Sequence, residues 1–301
     1  MRIAVTGRKG QVVRSLLDRA SISDHQVVAV GRPGLDLTAD ARSIIEAIAA
    51  ARPDCIVSAA AYTAVDQAES EVDLAFAIND AGAEKIARAA ATLGIPLIHL
   101  STDYVFDGSK ALPYKEEDLA RPINVYGASK LAGEQSVLSA HPNSAVLRTG
   151  WVYSPFGTNF VKTMLQLAQR RDQVSVVADQ IGSPTSALDI ADSILEVASN
   201  LSASMDPNLR GIFHMTSPGS ASWADLAEAT YEVAKSLVSA EVKRVTSSQY
   251  QTIAKRPANS RLDCAKLAGT HGLRLPDWRS SLNQVVERLI REPTDMKEAA
   301  R

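Results

Sequence analysis

The chain has 301 residues, of which 46% are hydrophobic and 22% charged, and Lys+Arg 32 against Asp+Glu 34 leaves a net charge of -2. This is the mixture of an ordinary soluble globular protein; it excludes disorder, collagen and a disulfide scaffold, and the missing basic surplus argues against a nucleic-acid partner. Apolar runs are short and charge-broken, so no membrane span is expected, and Cys55 and Cys264 with no signal-peptide pattern at Met1-Arg2-Ile3-Ala4-Val5 lead us to expect a cytoplasmic protein with two free, buried thiols.

Residues 3–6 read as a strand, and 12–18 as a helix with apolar positions near i, i+3 and i+4. A second strand is expected at 27–30. Thr38 is expected to cap a helix reaching about Ala50, followed by a third strand at 55–58. Residues 71–93 read as one long Ala-rich helix stopped by Gly94. Strand 96–101, helix 125–139 and strand 145–148 continue the alternation. Strands separated by helices mean βαβ units, so the expected fold class is α/β, a Rossmann-type doubly wound parallel sheet with helices on both faces. Past Trp151 the pattern loosens into helix 159–170, strand 174–178, helix 186–199, strand 211–215, helices 222–239 and 277–290, and a polar, frayed tail from Glu292. We therefore expect a regular nucleotide-binding domain over 1–150, with returns near 172–200 and 211–217, and a smaller, irregular α/β domain over 151–301.

Three local patterns carry chemistry. Thr6-Gly7-Arg8-Lys9-Gly10-Gln11-Val12-Val13 lies between the first strand and the first helix. There Gly7 permits a tight turn, and Gly10 lets backbone approach a pyrophosphate at the helix N-terminus. Val13 stands where a third glycine would allow closest helix–strand packing. Second, Val30-Gly31-Arg32 ends the second strand without the carboxylate that holds the ribose of NADH, and with a guanidinium suited to a 2′-phosphate. Arg8 is a second donor for that phosphate, while Asp36 preserves some use of NADH. Third, Tyr126-Gly127-Ala128-Ser129-Lys130 sets a phenol and an ammonium on one helical face. The cation is expected to lower the tyrosine pKa, giving a general acid beside Thr102 at a strand end.

With these blocks go Ala59-Ala60-Ala61-Tyr62-Thr63-Ala64-Val65-Asp66, Ser101-Thr102-Asp103-Tyr104-Val105-Phe106, Arg148-Thr149-Gly150-Trp151-Val152-Tyr153, Asp179-Gln180-Ile181-Gly182-Ser183-Pro184-Thr185 and Arg256-Pro257-Ala258-Asn259-Ser260. Together they resemble the extended short-chain dehydrogenases/reductases, and within them the dTDP-4-dehydrorhamnose reductases. The resemblance implies that a reduced nicotinamide, NADPH or less readily NADH, delivers hydride to C4 of a nucleotide-linked 4-keto sugar. Tyr126 would protonate the C4 oxygen, Lys130 hold the nicotinamide ribose, and Thr102 bond the same sugar oxygen. Asp103 would position the hexose and Trp151 lie against it. Gly7, Gly10, Gln11, Val12, Arg32, Asp36, Leu37, Ala61, Tyr62, Thr63, Tyr126 and Lys130 would contact the cofactor, with Asp36 and Leu37 near the adenine. Gln180, Thr185, Arg256 and Asn259 would shape the substrate pocket, Arg256 either meeting the diphosphate or pinning the C-terminal segment. Some relatives bind Mg²⁺ between two subunits through carboxylates, but the matching positions are Ser15 and Leu188, so no metal is expected and any homodimer made that way is weak or absent. Two other readings remain open: another 4-ketosugar reductase or epimerase on the same scaffold, and a non-catalytic regulatory subunit like that of methionine adenosyltransferase.

Overall fold

Near-continuous apolar strands are what a sheet buried on both faces requires, and the computed structural model, which describes residues 1–292, puts them to that use. The first half runs β1 (Arg2–Thr6), α1 (Gln11–Ala20), β2 (Gln26–Val30), α2 (Ala41–Ala50), β3 (Cys55–Ser58), α3 (Val65–Ala68), α4 (Val72–Phe76), a π-helical stretch Ala77–Gly82, α5 (Ala83–Leu93), β4 (Leu97–Thr102), α6 (Val125–Ala140) and β5 (Ser144–Thr149). The second half runs β6 (Val152–Tyr153), α7 (Phe160–Ala168), β7 (Gln173–Val177), β8 (Ile181–Gly182), β9 (Thr185–Ser186), α8 (Ala187–Ala203), β10 (Gly211–His214), β11 (Ala221–Ser222), α9 (Trp223–Val233), β12 (Glu241–Val245), α10 (Ala265–His271) and α11 (Trp278–Arg291).

Six strands form one sheet in the order β2-β1-β3-β4-β5-β10, every neighbour parallel. On one face Leu16 of α1 and Ile190 and Ile194 of α8 pack on Val5, Val57, Ile98 and Leu147. On the other, Ile44, Ile48, Ile86 and Val137 from α2, α5 and α6 pack on Ile56, Leu97 and Val146. Helices on opposite faces make the strand order reverse between β1 and β3, and ligands of such sheets bind at the carboxyl ends beside that point. Separate apolar clusters join α7, α9 and α11 around Tyr153, Trp278 and Val285, and β7 with α9 around Met164 and Tyr231.

Several expectations need correction. Asp40, not Thr38, caps α2, because the Thr38 amide and hydroxyl are spent on Asp36 (2.9 and 2.7 Å). The single helix of 71–93 is broken by the π-helical stretch, where a Cβ on Gly82 would fall 2.9 Å from the Leu37 Cβ. β7, inside the span expected to return to the nucleotide-binding part, pairs with β12 outside the main sheet. The helix expected over 222–239 stops at Val233, and β12, α3 and α10 are additions. The expected tail beyond Glu292 lies outside the described residues.

Candidate active site

The site begins where β1 and β3 end. The Thr6 hydroxyl accepts from the amides of Ala59 and Ala60 at 3.0 and 2.9 Å, which ties the two strand ends together. Gly7 turns with φ 102°, a conformation that favours glycine, and its amide donates to the Val30 carbonyl at 2.8 Å. Gly10 precedes α1 with no side-chain cap, so the first-turn amides, including those of Gln11 and Val12, are left to a ligand at the positive end of the helix. The Gln11 side chain is engaged elsewhere: it donates to the Val152 carbonyl at 3.3 Å and accepts from Ser154 Oγ at 2.9 Å.

Two adjoining clefts meet at this turn. One, about 620 Å³, is lined by Gly7, Arg8, Lys9, Gly31, Arg32, Leu35, Leu37, Ala60, Ala61, Tyr62, Thr63, Ala64, Gln67 and Ile78. Its lining carries three cations and no carboxylate. Asp36, expected near the adenine, is not part of this wall; hydrogen bonds from Thr38, and then Arg32, hold its carboxyl below the usual range. The other cleft, about 510 Å³, shares Lys9, Ala61 and Thr63, and runs past Gly10, Gln11 and Val12 to Thr102, Asp103, Tyr126, Lys130, Thr149, Trp151 and Trp223. A helix N-terminus, close-approach glycines and a cationic wall suit a phosphorylated dinucleotide.

α6 brings the acid–base pair to this cleft. Asn124 caps it by accepting from the Gly127 amide at 2.7 Å. A Cβ on Gly127 would lie 2.2 Å from the Tyr104 carbonyl oxygen, so glycine lets the helix dock on the end of β4. The Thr102 hydroxyl lies in the same cleft as the Tyr126 phenol, whose pKa it pulls down, and donates to Asp103 Oδ1 at 3.1 Å. Burial pushes Tyr126 up to about 12, against the pull of Thr102. This corrects the expectation that Lys130 lowers it: the Lys130 ammonium donates to the Leu100 carbonyl at 2.7 Å and lies 3.3 Å from His99 Nε2. Burial lowers Lys130 itself to about 8, partly offset by Glu134.

Asp103 is buried against Gly150, and burial raises its carboxyl to about 6 despite the opposing pull of the Ser260 and Thr102 hydroxyls. Trp151, at φ 51°, stacks on Trp223 with centroids 3.6 Å apart and donates to Ser260 Oγ at 3.2 Å. A Cβ on Gly182 would strike its ring at 2.2 Å, which explains the glycine of the Asp-Gln-Ile-Gly block.

Not every expected residue arrives. Arg256 lines neither cleft; it grips Asp66 through both nitrogens at 2.7 and 3.1 Å and so pins the C-terminal segment to α3. Asn259 donates to the carbonyls of Lys110 and Leu112, and Thr185 to that of Ser183. Like Gln180, neither lines a cleft. Cys55 is core, its thiol pushed up to about 12 by burial, but Cys264 is only partly buried, in contact with Thr216. Among the described residues no His, Cys, Asp or Glu cluster is placed to hold a metal, and no helix is long and apolar enough to cross a membrane. Sequence reasoning missed Thr6, Asn79, Trp223 and the surroundings of His99, none of which has a local signature.

The family model described as RmlD substrate binding domain matches residues 1–291. A dTDP-4-dehydrorhamnose reductase from Sinorhizobium fredii (strain NBRC 101917 / NGR234) is 50% identical over 297 residues, spanning 98% of this chain and 100% of its own. One from Escherichia coli (strain K12) is 38% identical, over 96% of this chain and 98% of its own. Among solved structures, a dTDP-4-dehydrorhamnose reductase from Bacillus anthracis in complex with NADP superimposes with a TM-score of 0.88 at 36% identity, over 95% of this chain and 99% of that one. The reductase from Clostridium acetobutylicum gives 0.89 at 34%, over 96% and 100%.

Proposed function

The chain belongs to the RmlD substrate binding domain family, and on that premise we propose that it reduces the C4 keto group of dTDP-4-dehydro-L-rhamnose to give dTDP-L-rhamnose. The observation that carries the reading is the convergence of Thr102, Tyr126 and Lys130 on the cleft that opens from the glycine turn. Residues 1–150 with α8 and β10 would bind the cofactor, and most of the remainder the sugar nucleotide. The protein would act in the cytoplasm on a small-molecule partner, without nucleic acid or membrane.

Gly7, Gly10 and the first-turn amides of Gln11 and Val12 would receive the cofactor diphosphate, while Leu37, Ala61, Tyr62 and Thr63 flank the adenosine half. NADPH is the preferred form, because Arg8, Lys9 and Arg32 line that half without a carboxylate, and NADH is used more weakly. When bound, the reduced nicotinamide supplies the hydride that reaches C4. Burial keeps the Tyr126 phenol protonated across the working pH, so it gives its proton to a far more basic sugar alkoxide oxygen. The Thr102 hydroxyl bonds that oxygen, Lys130 holds the nicotinamide ribose, and Asp103 and the Trp151 face position the hexose. Mixing the protein with NADPH and the ketosugar should consume cofactor, and NMR should identify dTDP-L-rhamnose. No oxidation of either nicotinamide, as for a regulatory subunit, or a product of opposite C4 configuration overturns the proposal.

A further inference from the structure

We infer that His99 is a positioning residue for this reduction, its imidazole acting with the Leu100 carbonyl to aim the Lys130 ammonium at the cleft. The inference rests on the functional reading above. An ammonium has three N–H donors. One meets the Leu100 carbonyl at 2.7 Å and a second lies 3.3 Å from His99 Nε2, which leaves the third for the cleft that Lys130 lines.

The imidazole sits where packing alone would place an aliphatic side chain. On β4, Ile98 and Leu100 point into the cluster under α1 and α8, while Leu97 points toward α5 and α6. By the period of two, His99 and Ser101 share the face of Leu97; Ser101 bonds Glu134 on α6, and His99 meets Lys130. His99 is 1% exposed, and its Nδ1 has no hydrogen-bond partner among the described residues. For Nε2 to accept from Lys130 the ring proton must be on Nδ1, so the fold leaves a buried donor unpaired to give Lys130 an acceptor.

Burial, and then the Lys130 charge, hold His99 well below its ordinary pKa, so it stays a neutral acceptor. Among the described residues, Glu134 on the same helix also acts on Lys130, and Tyr126 and Asp103 line the same cleft. Arg148 of β5 is committed to Glu134 at 2.7 Å, and Asp80 of the π-helical stretch to Ser136. Withdrawing the imidazole acceptor leaves the ammonium more poorly solvated, so its proton leaves at lower pH. Functions that need the ammonium are present below the Lys130 pKa and fail as pH rises through it.

The test compares His99→Leu, which fills the space without an acceptor, with His99→Gln, which restores one. Two readouts are followed from pH 6 to 9.5: NADPH affinity by fluorescence, and kcat. In His99→Leu the basic limb of both should move down by on the order of one pH unit, while His99→Gln stays close to the parent. An unmoved limb in His99→Leu, or equal movement in both variants, overturns the inference. If His99→Leu does not fold, His99→Met makes the same acceptor-free comparison. If the parent binds NADPH but reduces no ketosugar, the functional reading fails, while the pH dependence of NADPH affinity still decides the role of His99.

Discussion

Tyr126 and Asp103 are both raised by burial, with opposite consequences. For Tyr126 the rise keeps a proton on the donor, to about 12. Tyr126→Phe keeps the ring and removes that proton, so kcat should fall by about 10²–10⁴ with NADPH affinity unchanged, as steady-state rates and fluorescence titration will show. For Asp103, raised to about 6, burial penalises the charged form. The cost is absent below the unfolded carboxyl pKa of about 4 and complete above the folded value, so wild-type stability is lost as pH rises between them. Asp103→Asn should therefore raise Tm at pH 8 by several degrees and change it little at pH 4, while weakening sugar binding; scanning calorimetry at the two pH values checks this. Arg32 is exposed and paired with Asp36 at 3.0 Å, a surface bond weak enough to yield to a phosphate. Arg32→Ala should raise the KM for NADPH and leave that for NADH almost unchanged, and equal losses would mean that Arg32 never touches the 2′-phosphate.

The π-helical stretch shows how one local irregularity serves the site. It carries Asn79, buried, whose amide accepts from the Tyr62 N–H at 2.8 Å and donates to the Tyr62 carbonyl and Ser129 Oγ at 3.0 and 2.9 Å. Ser129 donates in turn to the Tyr126 carbonyl. One side chain thus links the cofactor-side loop to the helix that carries the acid. Asn79→Leu leaves these groups unpaired, so it should destabilise by on the order of 2–4 kcal/mol in urea unfolding and raise the KM for NADPH severalfold more than it lowers kcat. The Ala-rich composition announces a helix over this span, but any helical pitch suits alanine. The widened turn comes from packing: a Cβ on Gly133 of α6 would fall 2.0 Å from the Asn79 carbonyl oxygen.

Across the molecule, the cleft walls come from both halves of the chain: the glycine turn, the ends of β3 and β4, α6, and Trp151 with Trp223. Arg256 gripping Asp66 and Asn124 donating to the Lys255 carbonyl fasten the C-terminal segment over α3 and α6, so sugar binding should be sensitive to breaks far from Tyr126. Ser15 of α1 is fully buried and Leu188 of α8 is packed among apolar side chains, so neither position offers a carboxylate to a shared cation. Sedimentation should therefore give the same mass with and without EDTA, whatever the subunit number; an EDTA-sensitive dimer would contradict this.

From the residues alone came the alternation of strands and helices, the glycine turn, and the Thr102, Tyr126 and Lys130 set. Periodicity and i, i+4 spacing belong to neighbours in the chain, and a strand end feeding a helix is a local event. Only the tertiary structure decided which polar side chains reach the cleft. Arg256 and Asn259 look free in the sequence, yet partners well over a hundred residues away, Asp66 and the carbonyls of Lys110 and Leu112, claim them. His99, one of five scattered histidines, instead meets Lys130. The protonation states were also decided there, because desolvation depends on everything packed around a group. An adjacent lysine suggests a lowered tyrosine, but desolvation raises it, and the lysine turns to a carbonyl and an imidazole that no spacing rule could have named.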